Sequence, residues 1–113
     1  MTLPKFSENQ APEDFNKLLE QARKASELLK ALSHESRLLI LCLLAEGERS
    51  VSELEEIMQM PQAAVSQQLA RLRFDRLVNT RRDGRVIYYS IASSEVATVI
   101  ATLYDVFCAP VRN

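Results

Sequence analysis

Apolar residues recur at spacings of three and four from Glu13 onward: Phe15, Leu18, Leu19, Ala22, Ala25, Leu28, Leu29 and Leu32 share one stripe, the period of an amphipathic helix. This pattern predicts a first helix over 13–31. From Leu38 to Ala45 the chain is apolar around nearly the whole helical circumference, which marks a buried second helix over about 34–46, with Ser33 offered as its cap. Gly47 stands where a residue of positive φ would end that helix. A third helix is predicted at 52–59, capped by Ser52, with Leu54, Ile57 and Met58 inward. Pro61 suits the first turn of a fourth helix over 62–75. There Val65, Leu69 and Leu72 form a narrow apolar seam, while Gln62, Ser66, Gln67, Gln68 and Arg71 are polar.

After Leu77 the period changes. Val78 to Thr80 and Val86 to Ile91 are rich in β-branched and aromatic residues, and the Asp83-Gly84 pair between them predicts a β-hairpin with a two-residue turn that sets Arg82 opposite Arg85. Val96, Val99, Ile100, Leu103, Val106 and Phe107 restore helical spacing, for a fifth helix over 94–108. Residues 1–12 read as a loose tail, 13–109 as one domain and 110–113 as a C-terminal tail. The fold expected is mainly α with a β-hairpin, five helices with the hairpin between the fourth and fifth.

Composition narrows the function. The chain has 113 residues, 47% hydrophobic and 26% charged, an ordinary globular mixture for a single core. The longest apolar run falls far short of the roughly 20 residues of a membrane span, and no basic-then-apolar leader opens the chain. A cytoplasmic protein is therefore expected. Two glycines and one histidine leave no phosphate-cradling loop and no cluster of imidazoles, which argues against an enzyme. No bound cofactor is expected. The net charge of −1 hides a segregation, because the segment 71–85 carries +4 and the rest −5. All six cations in that segment are arginines, whose planar fork binds phosphates and base edges in bidentate fashion.

A short helix, a tight turn, an amide-rich helix and an arginine-tipped hairpin together form a winged helix-turn-helix arrangement. Its second helix enters the major groove of double-stranded DNA, where glutamine can pair with adenine, while the wing grips phosphates. The candidate contacts are Gln62, Ser66, Gln67, Gln68 and Arg71 on the helix and Arg81, Arg82 and Arg85 on the wing. A solvated polar helix, or a winged helix that serves only protein association, is the bland reading of the same residues.

The segments Ala31-Leu32-Ser33-His34-Glu35-Ser36-Arg37-Leu38, Glu46-Gly47-Glu48, Val65-Ser66-Gln67-Gln68-Leu69 and Arg81-Arg82-Asp83-Gly84-Arg85-Val86-Ile87-Tyr88-Tyr89 resemble the ArsR/SmtB winged-helix repressors over roughly residues 20–108. The resemblance implies a homodimer built through the first and last helices and a palindromic operator. It implies no metal site: Ser50 and Ser52 stand where metal-sensing members carry Cys-x-Cys, and the last helix offers only Glu95 and Asp105 with no histidine. His34, the lone histidine, reads as a surface or capping residue. What remains is Cys42 and Cys108, whose placement resembles the thiol-switch branch, the persulfide- and oxidant-responsive repressors of the BigR, SqrR and HlyU type. In that branch the corresponding thiols become linked, and DNA is released. A cysteine in an apolar helix also serves as a small hydrophobe, and a thiolate metal sensor using the same two residues is the alternative.

Overall fold

The computed structural model describes residues 12–112. The chain divides into two compact units, Met1–Lys30 and Ala31–Asn113. The described part of the first unit is α1 (Pro12–Leu32) up to Lys30, its last two residues belonging to the second unit; its opening proline and following Glu13 and Asp14 suit a helix N-terminus. Phe15, Leu18, Leu19 and Leu29 on this helix are exposed. The expected tail over 1–12 lies outside the described residues except for Pro12, which is helical.

The second unit runs α2 (Glu35–Ala45), β1 (Arg49–Ser50), α3 (Val51–Met58), α4 (Gln62–Phe74), β2 (Val78–Asp83), β3 (Val86–Ile91) and α5 (Ser94–Leu103). It is a winged helix-turn-helix body, mainly helical with a small antiparallel sheet. Its core is made by Ile40, Leu41, Leu54, Val65, Leu69, Leu72 and Ile100, all fully buried. Each helix thus contributes part of the apolar stripe its period foretold, but Leu39 on α2, Ile57 on α3, and Val106 and Phe107 beyond α5 are exposed. An eight-residue helix has room for one inward ridge, and Leu54 occupies it.

Three local features differ from the sequence reading. The cap of α3 is Ser50, not Ser52: Ser50 Oγ accepts from Glu53 N at 3.2 Å, while Ser50 N donates to Glu53 Oε1 at 3.1 Å. The reason is β1, a two-residue strand with no sequence signal of its own, which pairs Arg49 with Tyr89 and Ser50 with Tyr88 and so holds Ser50 extended. Second, α2 starts after His34, whose side chain makes no cap bond; Ser33 does not occupy the capping position. Third, the hairpin turns at Gly84-Arg85. Asp83 pairs with Val86 and Arg82 with Ile87, so Arg82 does not face Arg85. Gly84 has φ +64°, and glycine at the first turn position, alone at positive φ, fits a type II′ turn rather than the type I′ turn expected of Asp-Gly.

The end of α4 is closed by two bonds, Arg76 N to Arg73 O at 3.0 Å and Leu77 N to Leu72 O at 2.9 Å. Arg76 takes the left-handed conformation (φ +61°) that glycine usually fills in this motif.

Beyond Leu103 the last helix widens into a π turn, Tyr104–Cys108, and closes in a 3-10 turn, Ala109–Val111. The expected tail over 110–113 is therefore ordered through Arg112. By length and composition the run Ser94–Val111 is apolar enough to cross a membrane, but here Val96 and Ile100 are buried in the core.

Candidate functional site

Two sets of residues carry chemistry in the second unit. The first is the face of α4. Buried Val65, Leu69 and Leu72 seat the helix, and the helical period then turns Gln62, Ser66, Gln67 and Arg71 outward, all four exposed. Gln68, three residues after Val65 and four before Leu72, is half-buried at the margin of this face. Arg71 Nε donates to Asp75 Oδ2 at 3.3 Å, leaving its side chain 63% exposed. Arg73 and Arg76 are exposed beyond these positions.

The wing is divided more sharply than its sequence implied. Arg81, though exposed, is committed to a partner within the chain: its guanidinium makes two bonds to the Glu48 carboxylate, with Nε to Oε2 at 3.2 Å, and lies 4.7 Å over the Tyr88 ring. Each partner adjusts the other, the Arg81 bond holding the Glu48 carboxyl below its usual range and Glu48 raising Arg81. This pair ties the wing to the loop before β1. Arg82 and Arg85 are exposed near the tip, and neither is held by an ion pair among the described residues. Tip arginines without an internal partner are able to take phosphates, whereas Arg81 would first have to leave Glu48.

The second set lies between α2 and the end of the last helix. Cys42 is buried and Cys108 half-buried, and both are free thiols. Although 66 positions separate them, the two thiols are near enough for Cys108 to raise Cys42. The π turn explains the meeting. Seven residues of α-helix fall about 20° short of two turns, so a regular helix would set Phe107 under the buried Ile100. The π turn absorbs one extra residue. Phe107 is accordingly 70% exposed, and Cys108 comes round toward α2.

Cys42 is pushed up from the ordinary 9.0 to about 12, first by burial, then by the neighbouring Cys108 thiol and the charge it could carry, and by the Glu46 carboxylate. At neutral pH it is a thiol, not a thiolate. Glu46 is itself a junction. Its Oε2 accepts from Tyr104 Oη at 2.6 Å and Arg112 Nε at 2.8 Å; its Oε1 accepts from Arg112 at 2.7 Å and Arg49 at 2.8 Å. The Tyr104 bond, then those of Arg112 and Arg49, hold the Glu46 carboxyl below its ordinary 4.5. Of these four residues only Glu46 was named from the sequence, within a resembling segment and with no role, although it follows Cys42 by four positions, and Tyr104 and Arg112 bracket Cys108 by four on either side. Among the described residues, no group of three or more His, Cys, Asp and Glu side chains is placed to hold a metal.

Residues 34–80 match the family described as bacterial regulatory protein, arsR family. The chain is 42% identical over 98 residues to the transcriptional activator HlyU of Vibrio cholerae, covering 87% of this chain and 91% of that one. It is 44% identical over 93 residues to the biofilm growth-associated repressor of Agrobacterium fabrum, covering 82% and 80%. Among solved structures, the transcriptional repressor BigR from Xylella fastidiosa superposes with a TM-score of 0.79 at 40% identity, over 91% of this chain and 99% of that one. Reduced HlyU from Vibrio cholerae does so at 0.77 and 42% identity, over 81% and 97%.

Proposed function

The chain belongs to the arsR family of bacterial regulatory proteins, and from that premise we propose that it is a homodimeric cytoplasmic repressor that holds a palindromic operator while reduced. It releases the operator when a persulfide or oxidant links Cys42 to Cys108. DNA-binding transcriptional regulation is the common ground of its relatives; one bears the name of an activator and another that of a repressor. The outward face of α4 and the wing tip supply the two kinds of contact required, base edges for the amides and phosphates for the arginines.

The observation that carries the thiol switch is the approach of Cys42 and Cys108, brought about where α2 packs against the π turn of the last helix. The chemistry balances with a hydropersulfide, RSSH. One cysteine thiolate attacks the outer sulfur and expels RS⁻, leaving a cysteine persulfide. The second thiol attacks the cysteine sulfur of that persulfide and expels hydrosulfide, so that two thiols and RSSH become one disulfide, RSH and H₂S. With a peroxide the same two thiols give the disulfide and two hydroxyl products, through a sulfenic acid.

The test uses an operator selected from random DNA by the reduced protein. Cys42→Ser and Cys108→Ser should each bind it like the reduced parent and fail to release it on addition of glutathione hydropersulfide. Normal release by either single variant would overturn the intramolecular switch.

A further inference from the structure

The two cysteines account for the covalent chemistry, but not for the side chains gathered beside them. Glu46, Tyr104 and Arg112 each stand one helical turn from a cysteine in sequence. They close on each other across the gap between α2 and the last helix: Tyr104 and Arg112 grasp the Glu46 carboxylate from both sides of the Cys108 turn. Arg49 completes the junction, reaching Glu46 with one nitrogen and the Leu43 carbonyl with Nε at 3.2 Å. The Arg112 side chain is 47% exposed, and exposed ion pairs add little to stability. What the brace does is tie residues four positions before and after Cys108 to the end of α2.

We propose that Glu46 is a positioning residue of the thiol switch, which through Tyr104 and Arg112 holds the Cys108 turn over Cys42 and so divides the work: Cys108 takes sulfur from a hydropersulfide, and Cys42 closes the bridge. This deepens the dithiol reading above and rests on it. Accessibility supports the division, because Cys42 is only 5% exposed while Cys108 reaches the surface. Burial, the neighbouring Cys108 and the Glu46 charge keep Cys42 protonated, which suits a thiol that waits for its partner to react. In the first step Cys108 thiolate attacks the outer sulfur of RSSH, the S–S bond breaks and RS⁻ leaves. In the second, Cys42 attacks the Cys108 sulfur, hydrosulfide departs, and the Cys42 proton goes with it as H₂S. The brace acts on the second step. It keeps the modified Cys108 within reach of Cys42, where an unheld turn would leave the persulfide to external thiols.

The experiment treats the full reduced chain with glutathione hydropersulfide and follows both cysteines over time by mass spectrometry of intact protein and peptides. In the parent, the Cys42–Cys108 bridge should appear with little standing Cys108 persulfide. In Glu46→Ala and Arg112→Ala, Cys108 persulfide should accumulate ahead of the bridge, with the ratio of adduct to bridge raised about tenfold or more. Glu46→Gln, which keeps acceptors for Tyr104 and Arg112, should recover most of the closure. A brace that only stabilises would lower the melting temperature and leave that ratio at the parent value, and this result overturns the proposal. So does first modification at Cys42. A parent that never forms the bridge overturns the dithiol reading itself, whereas a parent that bridges beside variants with unchanged ratios overturns only the role of Glu46.

Discussion

At the residue scale, the six arginines between positions 71 and 85 are not equivalent, although the sequence presents them as one strip. Charge and spacing made Arg81, Arg82 and Arg85 interchangeable candidates for phosphate. Only the fold reveals Glu48 beside Arg81, because the partner comes from 33 positions away across the sheet edge. No local pattern announces such a pair. Removing one phosphate-binding cation should lower the slope of log affinity against log salt by about 1. Arg82→Ala and Arg85→Ala should each do so, with similar weakening on operator and on random DNA. Arg81→Ala should change the slope by much less, since its guanidinium already has a carboxylate, and should act by loosening the wing. Binding isotherms across a salt series decide the matter, and equal slope changes for all three variants would return Arg81 to the interface. The amides of α4 should behave differently. Gln67→Ala should cost about 1 to 3 kcal/mol on the operator and less on random DNA.

At the element scale, helices were legible and their ends were not. The period of apolar residues found α2, α4 and α5 because burial of Ile40, Val65, Leu69, Leu72 and Ile100 is what makes those helices form. The cap of α3 was ambiguous for a physical reason: Ser50 and Ser52 both have a glutamate three positions on, Glu53 and Glu55, so both satisfy the reciprocal capping pattern. Pairing of β1 with β3 settles it, and a two-residue strand leaves no trace in composition. Ser50→Ala should therefore cost about 1 kcal/mol, a fall of roughly 4–8 °C in melting temperature for a domain of this size. Ser52→Ala should stay within about 0.5 kcal/mol. Thermal unfolding of the two variants separates the caps. The π turn was equally hidden. A regular helical reading carries the apolar stripe through Val106 and Phe107, whereas one extra residue in the turn exposes both and brings Cys108 inward. The cysteine pair could be named from resemblance, but the brace of Glu46, Tyr104 and Arg112 had only its four-residue spacing to signal it, and that spacing has meaning only once α2 and the last helix lie side by side.

At the scale of the whole molecule, the proposed release of DNA asks for a change that one protomer's thiols could impose on the two reading heads of the proposed dimer. A palindromic operator presents its half-sites about 34 to 36 Å apart, one turn of the double helix, so binding is sensitive to the distance between recognition helices in the proposed dimer. Shifting the protein from almost wholly bound to almost wholly released requires a bias of about 5.5 kcal/mol between the two arrangements. In the proposed switch the last helix would deliver it, since its far end carries Cys108 and its exposed positions Val106, Phe107 and Val111 are apolar. On α1 the exposed apolar residues are Phe15, Leu18, Leu19 and Leu29, and pairing through both helices would bury these stripes. A charge on either stripe should then separate the protomers without unfolding the second unit. In Leu18→Glu and Val106→Glu, sedimentation should show a monomer with native helical circular dichroism, and operator affinity should fall by about 10²-fold or more because the two half-sites are no longer held together. The affinity for an isolated half-site should stay near that of the parent. Retention of a dimer in both variants would place the interface elsewhere and remove the route by which a bridge at Cys108 reaches the recognition helices.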